Sequence, residues 1–238
     1  MTYCVGIKLA QATIMISDSR TSAGVDNISA YSKMWRYGVP GERQFILCSA
    51  GNLATTQAVV ATLTKDARNS SALSLLTVKD MDEAADYIGK VSVQVQEKAR
   101  GGPTFEATFL LAGEIQGSAG ALCMIYAQGN FISSSRQVPY LQIGETKYGK
   151  PILDRVIRED LPIDSGIKCG LISMDATMRS NLSVGPPIEL CTLDRGALQM
   201  TRYALLGETD EYLSNLRRQW NEAMESAIVQ MPALALSP

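Results

Sequence analysis

Thr2-Tyr3-Cys4-Val5-Gly6-Ile7-Lys8-Leu9-Ala10-Gln11-Ala12-Thr13-Ile14-Met15-Ile16-Ser17-Asp18 is the stretch that decides how the chain folds. Two apolar runs, about 3–9 and 12–18, are separated only by Ala10-Gln11, a hairpin spacing with poor turn chemistry. A turn at Ala10-Gln11 opposes Leu9 to Ala12 and Tyr3 to Asp18. Thr2 then faces Ser19 and lies diagonal to Asp18, within reach of a long side chain. The hairpin thus brings the start of the chain and an acid to one edge.

Working outward, Lys33 to Tyr37 reads as a short strand after an irregular excursion marked by Asp26-Asn27 and Tyr31-Ser32. Pro40-Gly41-Glu42 is a turn, and Gln44 to Ala50 reads as a buried strand. Asn52 is the expected N-cap of a helix running to about Ala67. Asp80 with Glu83 forms a capping box for a second helix, about 81–99, which Gly101-Gly102-Pro103 ends. Strands follow at about 105–115, 121–127 and 130–133, then helices at about 147–160 and 166–179. Two strands near 187–193 and 197–205 are joined by Asp194-Arg195-Gly196. A last helix, about 209–229, puts Leu213, Leu216, Trp220, Ala223 and Ala227 on one stripe. Locally paired strands with helices arriving in pairs predict an α+β fold: two antiparallel sheets between two helical layers, αββα, as one domain over residues 1–238.

Composition narrows the chemistry. Histidine is absent, so Ser-His-Asp and Cys-His mechanisms are excluded. The net charge of -2 leaves no electrostatic footprint for nucleic acid or an anionic membrane, and no apolar run reaches the roughly 18 residues of a spanning helix. Cys4, Cys48, Cys123, Cys169 and Cys191 are scattered, with no paired spacing for a metal, and read as reduced core thiols. No metal or cofactor is expected. The N-terminus lacks the features of a signal peptide, so a cytoplasmic protein is expected.

What remains is the start of the chain. Once Met1 is removed, Thr2 carries a hydroxyl and a free α-amine on one residue, a nucleophile with its own general base. A lysine arriving from the next strand can pair with Asp18 and point its ammonium at Thr2, lowering an amine pKa of ordinarily ~7.7–8. Lys33 is placed for this. The turn at Ala50-Gly51-Asn52 offers unpaired helix-start N–H groups for an oxyanion, and Gly51 allows close approach. Each element also has a plainer reading: Thr after Met1 is common, Asp18 with Arg20 suits a surface ion pair, Lys33 a solvated lysine, and Gly51-Asn52 a turn and cap.

The combination is specific. Thr2 behind Met1, Ser17-Asp18-Ser19-Arg20, Lys33 and the turn Ser49-Ala50-Gly51-Asn52 together resemble the proteasome β-subunit superfamily of N-terminal nucleophile hydrolases. Met1-Thr2-Tyr3-Cys4-Val5-Gly6-Ile7-Lys8, the run from Ser17 to Ser29 and the run from Met174 to Ile188 are most similar to its bacterial ancestral β-subunit family, Anbu. The resemblance covers essentially the whole chain and implies the same αββα fold.

It implies that Thr2 is the nucleophile, Lys33 the cation that lowers its pKa, Asp18 the acid orienting Lys33, and Gly51 the oxyanion donor. It implies a threonine-type hydrolase of peptide or isopeptide amides, a peptide or protein substrate, and a homo-oligomer of about twelve or more subunits, as ring or open spiral. The unfoldase ATPase question stays open. The helix at 52–67 and Leu216, Trp220 and Met224 supply apolar material for such contacts. Two departures stand out. The usual Gly-Ser-Gly is here Gly144-Glu145-Thr146, and an expected Asp three residues before a Ser is replaced by Ser180 before Ser183, with Asn181 the nearest substitute. An assembly-forming scaffold with little catalysis, and an amidase for non-peptide amides, are the alternatives.

Overall fold

Alternation along the strands accounts for the architecture of the computed structural model, which describes residues 1–22, 28–69, 71–99 and 102–234. In chain order the first elements are β1 (Tyr3–Lys8), β2 (Ala12–Asp18), β3 (Arg20–Ser22), β4 (Ile28–Ala30), β5 (Met34–Val39), β6 (Arg43–Gly51), α1 (Leu53–Arg68) and α2 (Met81–Lys98). There follow β7 (Ala107–Ile115), β8 (Ala121–Ile125), β9 (Phe131–Ser133), β10 (Tyr140–Gly144), α3 (Lys150–Val156), α4 (Ile163–Ser180), β11 (Ile188–Asp194), β12 (Arg202–Leu206) and α5 (Glu211–Val229). One sheet has the order β10-β1-β2-β11-β12 and the other β5-β6-β7-β8-β9, all antiparallel; β3 and β4 form a separate ribbon.

Successive side chains point to opposite faces of a strand. Tyr3, Val5, Ile7, Ile14 and Ile16 therefore pack against α3 and α4, while Cys4 and Met15 face the other sheet. In the second sheet Phe45, Leu47, Phe109 and Leu111 pack under α1 and α2, while Ile46, Cys48, Leu110 and Ala112 complete the layer between the sheets. The layers are thus α, β, β, α. Both faces of β1 and β2 are covered, which is why they read as nearly unbroken apolar runs. The sheets approach closely at Gly6, where a Cβ would stand 2.5 Å from Leu122 Cδ1. All five cysteines are buried and free.

The expected hairpin register is the observed one: Cys4 opposes Ser17 and Lys8 opposes Thr13. The helix caps also match, with Asn52 Oδ1 accepting from Thr55 N–H and Asp80 Oδ1 from Glu83 N–H. Glu83 reaches back one residue further than a capping box requires, to Lys79 N–H.

Other boundaries move. The strand expected from 105 begins at Ala107, because Pro103–Phe105 form a 3₁₀ turn. The strand expected at 197–205 is confined to Arg202–Leu206, because Gly196 and Leu198 take left-handed backbone conformations that break an extended run. The helix expected at 147–160 shrinks to α3, and the next starts earlier, behind Pro162. β10 was not expected at all. Within the excursion before Lys33, Asp26-Asn27 lie outside the described residues, as does Gly101. The stripe on α5 buries only in part: Leu213 and Leu216 pack against the α3–α4 side, whereas Ala223 and Ala227 are exposed.

Candidate active site

Asp18 closes β2 with no exposure, and its carboxylate is the most heavily bonded group at this edge. Oδ1 accepts from Tyr3 N–H at 3.0 Å and from Lys33 Nζ at 2.8 Å; Oδ2 accepts from Gly185 N–H at 3.2 Å. Burial pushes this carboxyl above its ordinary value, and the Lys33 ammonium and the two backbone N–H groups pull it back. Lys33 is itself buried, and its ammonium also donates to Arg20 O at 2.6 Å. Removing one partner from such a pair strands the other charge in the interior, which costs about 3–5 kcal/mol.

Hydrogen bonding at the end of β6 aims Gly51. Ser49 N–H donates to Lys33 O at 3.0 Å, and Asn52 N–H donates to Glu106 O at 2.9 Å. Backbone N–H groups alternate sides along an antiparallel strand, so Gly51 N–H faces the Lys33 side, past Met34 where pairing with β5 begins. Gly51 has φ +116°, and a Cβ there would stand 2.4 Å from Glu106 O, so only glycine fits.

Thr2, Lys33 and Gly51 line one cavity of about 640 Å³, together with Thr21, Leu53, Thr56 and Thr108. Asp18 lies beneath it, reaching it through Lys33. The four residues singled out in the sequence therefore meet at one place, two from each half of the sandwich: Thr2, just before β1, with Asp18 at the end of β2, and Lys33, just before β5, with Gly51 at the end of β6. Met1 lines the same cavity, and while its peptide bond persists the Thr2 nitrogen is an amide with no basicity. A free Thr2 amine facing a buried ammonium can accept a hydroxyl proton near neutrality, and an N–H aimed into the same space can receive an oxyanion.

Backbone contributions at the site were not legible beforehand. Gly185 N–H comes from a loop far along the chain, and no local signal announces it. The other unforeseen part is β10. Its pairing with β1 sets Tyr3 opposite Gly144 and so Thr2 opposite Glu145, whose N–H donates to Thr2 O at 2.7 Å. Glu145 is buried, and its Oε2 accepts from Asn181 Nδ2 at 3.1 Å; Asn181 Oδ1 accepts from Ser183 N–H at 3.0 Å. Ser180 ends α4, and among the described residues neither its side chain nor that of Ser183 makes a hydrogen bond at the site. Gly144 has φ +83°, and a Cβ there would lie 2.0 Å from Thr2 O. Gly144→Ala is therefore expected to destabilise the fold by about 2 kcal/mol or more and to push Thr2 out of line. A melting curve checks the first effect and loss of Thr2 reactivity the second.

Comparison with known proteins follows the geometry. The family model described as proteasome subunit matches residues 2–193. Among solved structures, Anbu (ancestral beta-subunit) from Yersinia bercovieri is 41% identical, with 99% of this chain and 100% of that chain covered and a TM-score of 0.95. The helical assembly of the Anbu complex from Pseudomonas aeruginosa is 38% identical, with 98% of each chain covered and a TM-score of 0.93. Anbu from Hyphomicrobium sp. strain MC1 is 39% identical, covering 98% and 100%, with a TM-score of 0.90. No curated protein matches the chain.

Proposed function

The chain belongs to the proteasome subunit family, on its ancestral β-subunit (Anbu) branch, and from that premise we propose that it is a self-compartmentalising N-terminal threonine hydrolase. It cleaves peptide or isopeptide amide bonds through Thr2 after Met1 is removed. The observation that carries this reading is the cavity shared by Thr2, Lys33 and Gly51, with Lys33 held by the buried Asp18.

The steps follow from the positions. Thr2 Oγ1 attacks the carbonyl carbon while its proton passes to the Thr2 amine, held neutral by the neighbouring ammonium. β-Branching restricts χ1 of Thr2 and holds the hydroxyl in place. The oxyanion is received by Gly51 N–H. Collapse breaks the C–N bond, and the leaving amine takes the proton back. Water, deprotonated by the same amine, then splits the ester and restores Thr2. Intact mass together with an electrophilic peptide probe tests this: the processed protein gains one probe mass, located on Thr2. Processed protein that takes no label at Thr2 sinks the reading.

Assembly is the second part of the proposal. The far half of α5 leaves Ile228 and Val229 71% and 83% exposed, and Met231 beyond it 67%, apolar side chains that a neighbouring subunit can cover. A similar chain, from Pseudomonas aeruginosa, forms a helical assembly. We expect a homo-oligomer of about twelve or more subunits, as ring or open spiral, in the cytoplasm, because head-to-tail contacts close or spiral according to their rotation. Sedimentation at micromolar concentration checks it, and a stable species of 25.7 kDa overturns it. A scaffold role is the second reading. What favours it is Gly144-Glu145-Thr146, which offers no hydroxyl at its middle position to hold a terminal amine.

A further inference from the structure

Lys33 is tied to the first sheet at two points, and only one of them is its own side chain. The ammonium is bonded to Asp18 at the end of β2. One residue earlier, Ser32 Oγ donates to Glu189 Oε2 on β11 at 2.6 Å. A hydroxyl has one proton, and the carboxylate takes it: 2.6 Å is the length of a charge-assisted O–H···O bond, while Met34 O stands at 3.0 Å. Ser32 Oγ also accepts from Met34 N–H at 3.3 Å, so it bridges the residues on either side of Lys33. The two anchors lie side by side, since β11 pairs with β2 and sets Ile188 opposite Asp18 and Glu189 opposite Ser17.

Glu189 is placed to hold rather than to react. It is 7% exposed and is not among the residues lining the Thr2 cavity. Its Oε1 accepts from Tyr203 OH on β12 at 3.0 Å, so both oxygens are engaged. The Arg36 guanidinium of β5 stands 4.5 Å from the centroid of the Tyr203 ring. Burial pushes the Cys191 thiol up to about 11, with Arg36 drawing it down and Glu189 adding to the rise, which sets both charges beside β11. The other neighbours are neutral: the buried Cys48 thiol across the layer, and Ser17 Oγ, which has no partner among the described residues.

We propose that Glu189 is a positioning residue for Lys33: by gripping Ser32 it fixes the backbone from which the ammonium reaches Thr2. The proposal rests on the reading that Lys33 keeps the Thr2 amine neutral. A lysine stem is flexible, so the bond to Asp18 alone leaves many backbone positions open. Ser49 N–H, on Lys33 O at 3.0 Å, fixes that backbone within its own sheet. Glu189 fixes it to the other sheet, the one that carries Asp18 and begins just after Thr2. Separation decides the outcome, because the influence of an ammonium on the amine weakens with distance.

The test reads the amine rather than turnover. Processed protein is treated with 2,4,6-trinitrobenzenesulfonate over a range of pH, and modification of the Thr2 amine is followed by peptide mass spectrometry. In Ser32→Ala the pH of half-maximal rate is expected to rise by about one unit, because Lys33 is no longer held within the ~4–6 Å at which a like charge acts strongly. Ser32 is exposed, so its truncation leaves the core intact. Glu189→Ala is expected to shift the midpoint the same way. Direct loss of a negative charge would act with the opposite sign, lowering the pKa of a nearby amine. Ser32→Thr, which keeps the hydroxyl, is expected to restore the parental midpoint. If Glu189→Ala does not fold, the two Ser32 variants carry the test. A rise in Lys33→Ala without one in Ser32→Ala, or a fall in Glu189→Ala, overturns the proposal and leaves the reading of Lys33 standing. An unchanged midpoint in Lys33→Ala overturns that reading, and the proposal with it.

Discussion

Lys33→Ala is expected to lose labelling of Thr2 by an electrophilic peptide probe by about a hundredfold or more, the scale of a general-base contribution. Two effects act together. The Thr2 amine loses the ammonium that favours its neutral form, and Asp18, with no exposure, loses its charged partner. The second effect carries a pH signature. Burial already raises Asp18 above its ordinary value, and without Lys33 it rises further. The folded state then favours the protonated acid, while the unfolded state gives up that proton near pH 4. The stability deficit of Lys33→Ala is therefore small in acid and grows as pH rises from about 4. Urea titrations of both proteins at pH 4 and pH 7 check the sign. Lys33→Arg is not expected to rescue labelling, because a broad planar guanidinium does not fit the place of an ammonium held between Asp18 Oδ1 and Arg20 O. Labelling of Lys33→Ala at the parental rate removes the role given to Lys33.

The second large effect concerns the chain start. One glycine inserted between Met1 and Thr2 is expected to abolish probe labelling at Thr2, a loss of about a hundredfold or more, with the fold unchanged. After Met1 is removed, the base then sits on the inserted residue and the Thr2 nitrogen is an amide, although Oγ1, Lys33 and Gly51 are untouched. Intact mass locates the new start, and the probe reports the hydroxyl. Labelling at the parental level in that variant shows that some group other than the Thr2 amine takes the proton.

Thr2, Asp18 and Gly51 stood out as candidates because each sits at a break in a strong local pattern, whereas Lys33 drew its place from the combination of motifs and the family resemblance. Asp18 ends an apolar strand, Gly51 separates a strand from a capped helix, and the spacing at Ala10-Gln11 permits one register. The two-sheet sandwich was legible from its strands and caps: β1, β2, β6 and β7 are each built around a mostly apolar run, and α1 and α2 have side-chain caps. β10 was not, because Tyr140-Leu141-Gln142-Ile143-Gly144 is short and its polar Gln142 faces the core side to reach Tyr3. Its existence depends on pairing with β1, some 140 residues away, as the Gln142–Tyr3 bond spans |i−j|=139. With β10 went the position of Glu145, visible in the sequence only as a misfit. The helical layer over the first sheet blurred for a similar reason. Pro162 and Pro151 set the bounds of α3 and α4 more tightly than apolar periodicity suggests.

In the mechanism proposed, the reacting groups come from both halves of the sandwich: Thr2 directly precedes β1 and Asp18 closes β2, whereas Lys33 directly precedes β5 and Gly51 ends β6. On that proposal a nascent chain holds an inert threonine until both halves have docked, and the chemistry becomes a sensor of completed folding, switched on by the same closure that buries Cys4, Met15, Ile46 and Leu110 between the layers. Substitutions in that dry layer, such as those crowding Gly6 against Leu122, would then detune the reaction by sliding one sheet past the other, with every reacting side chain left intact.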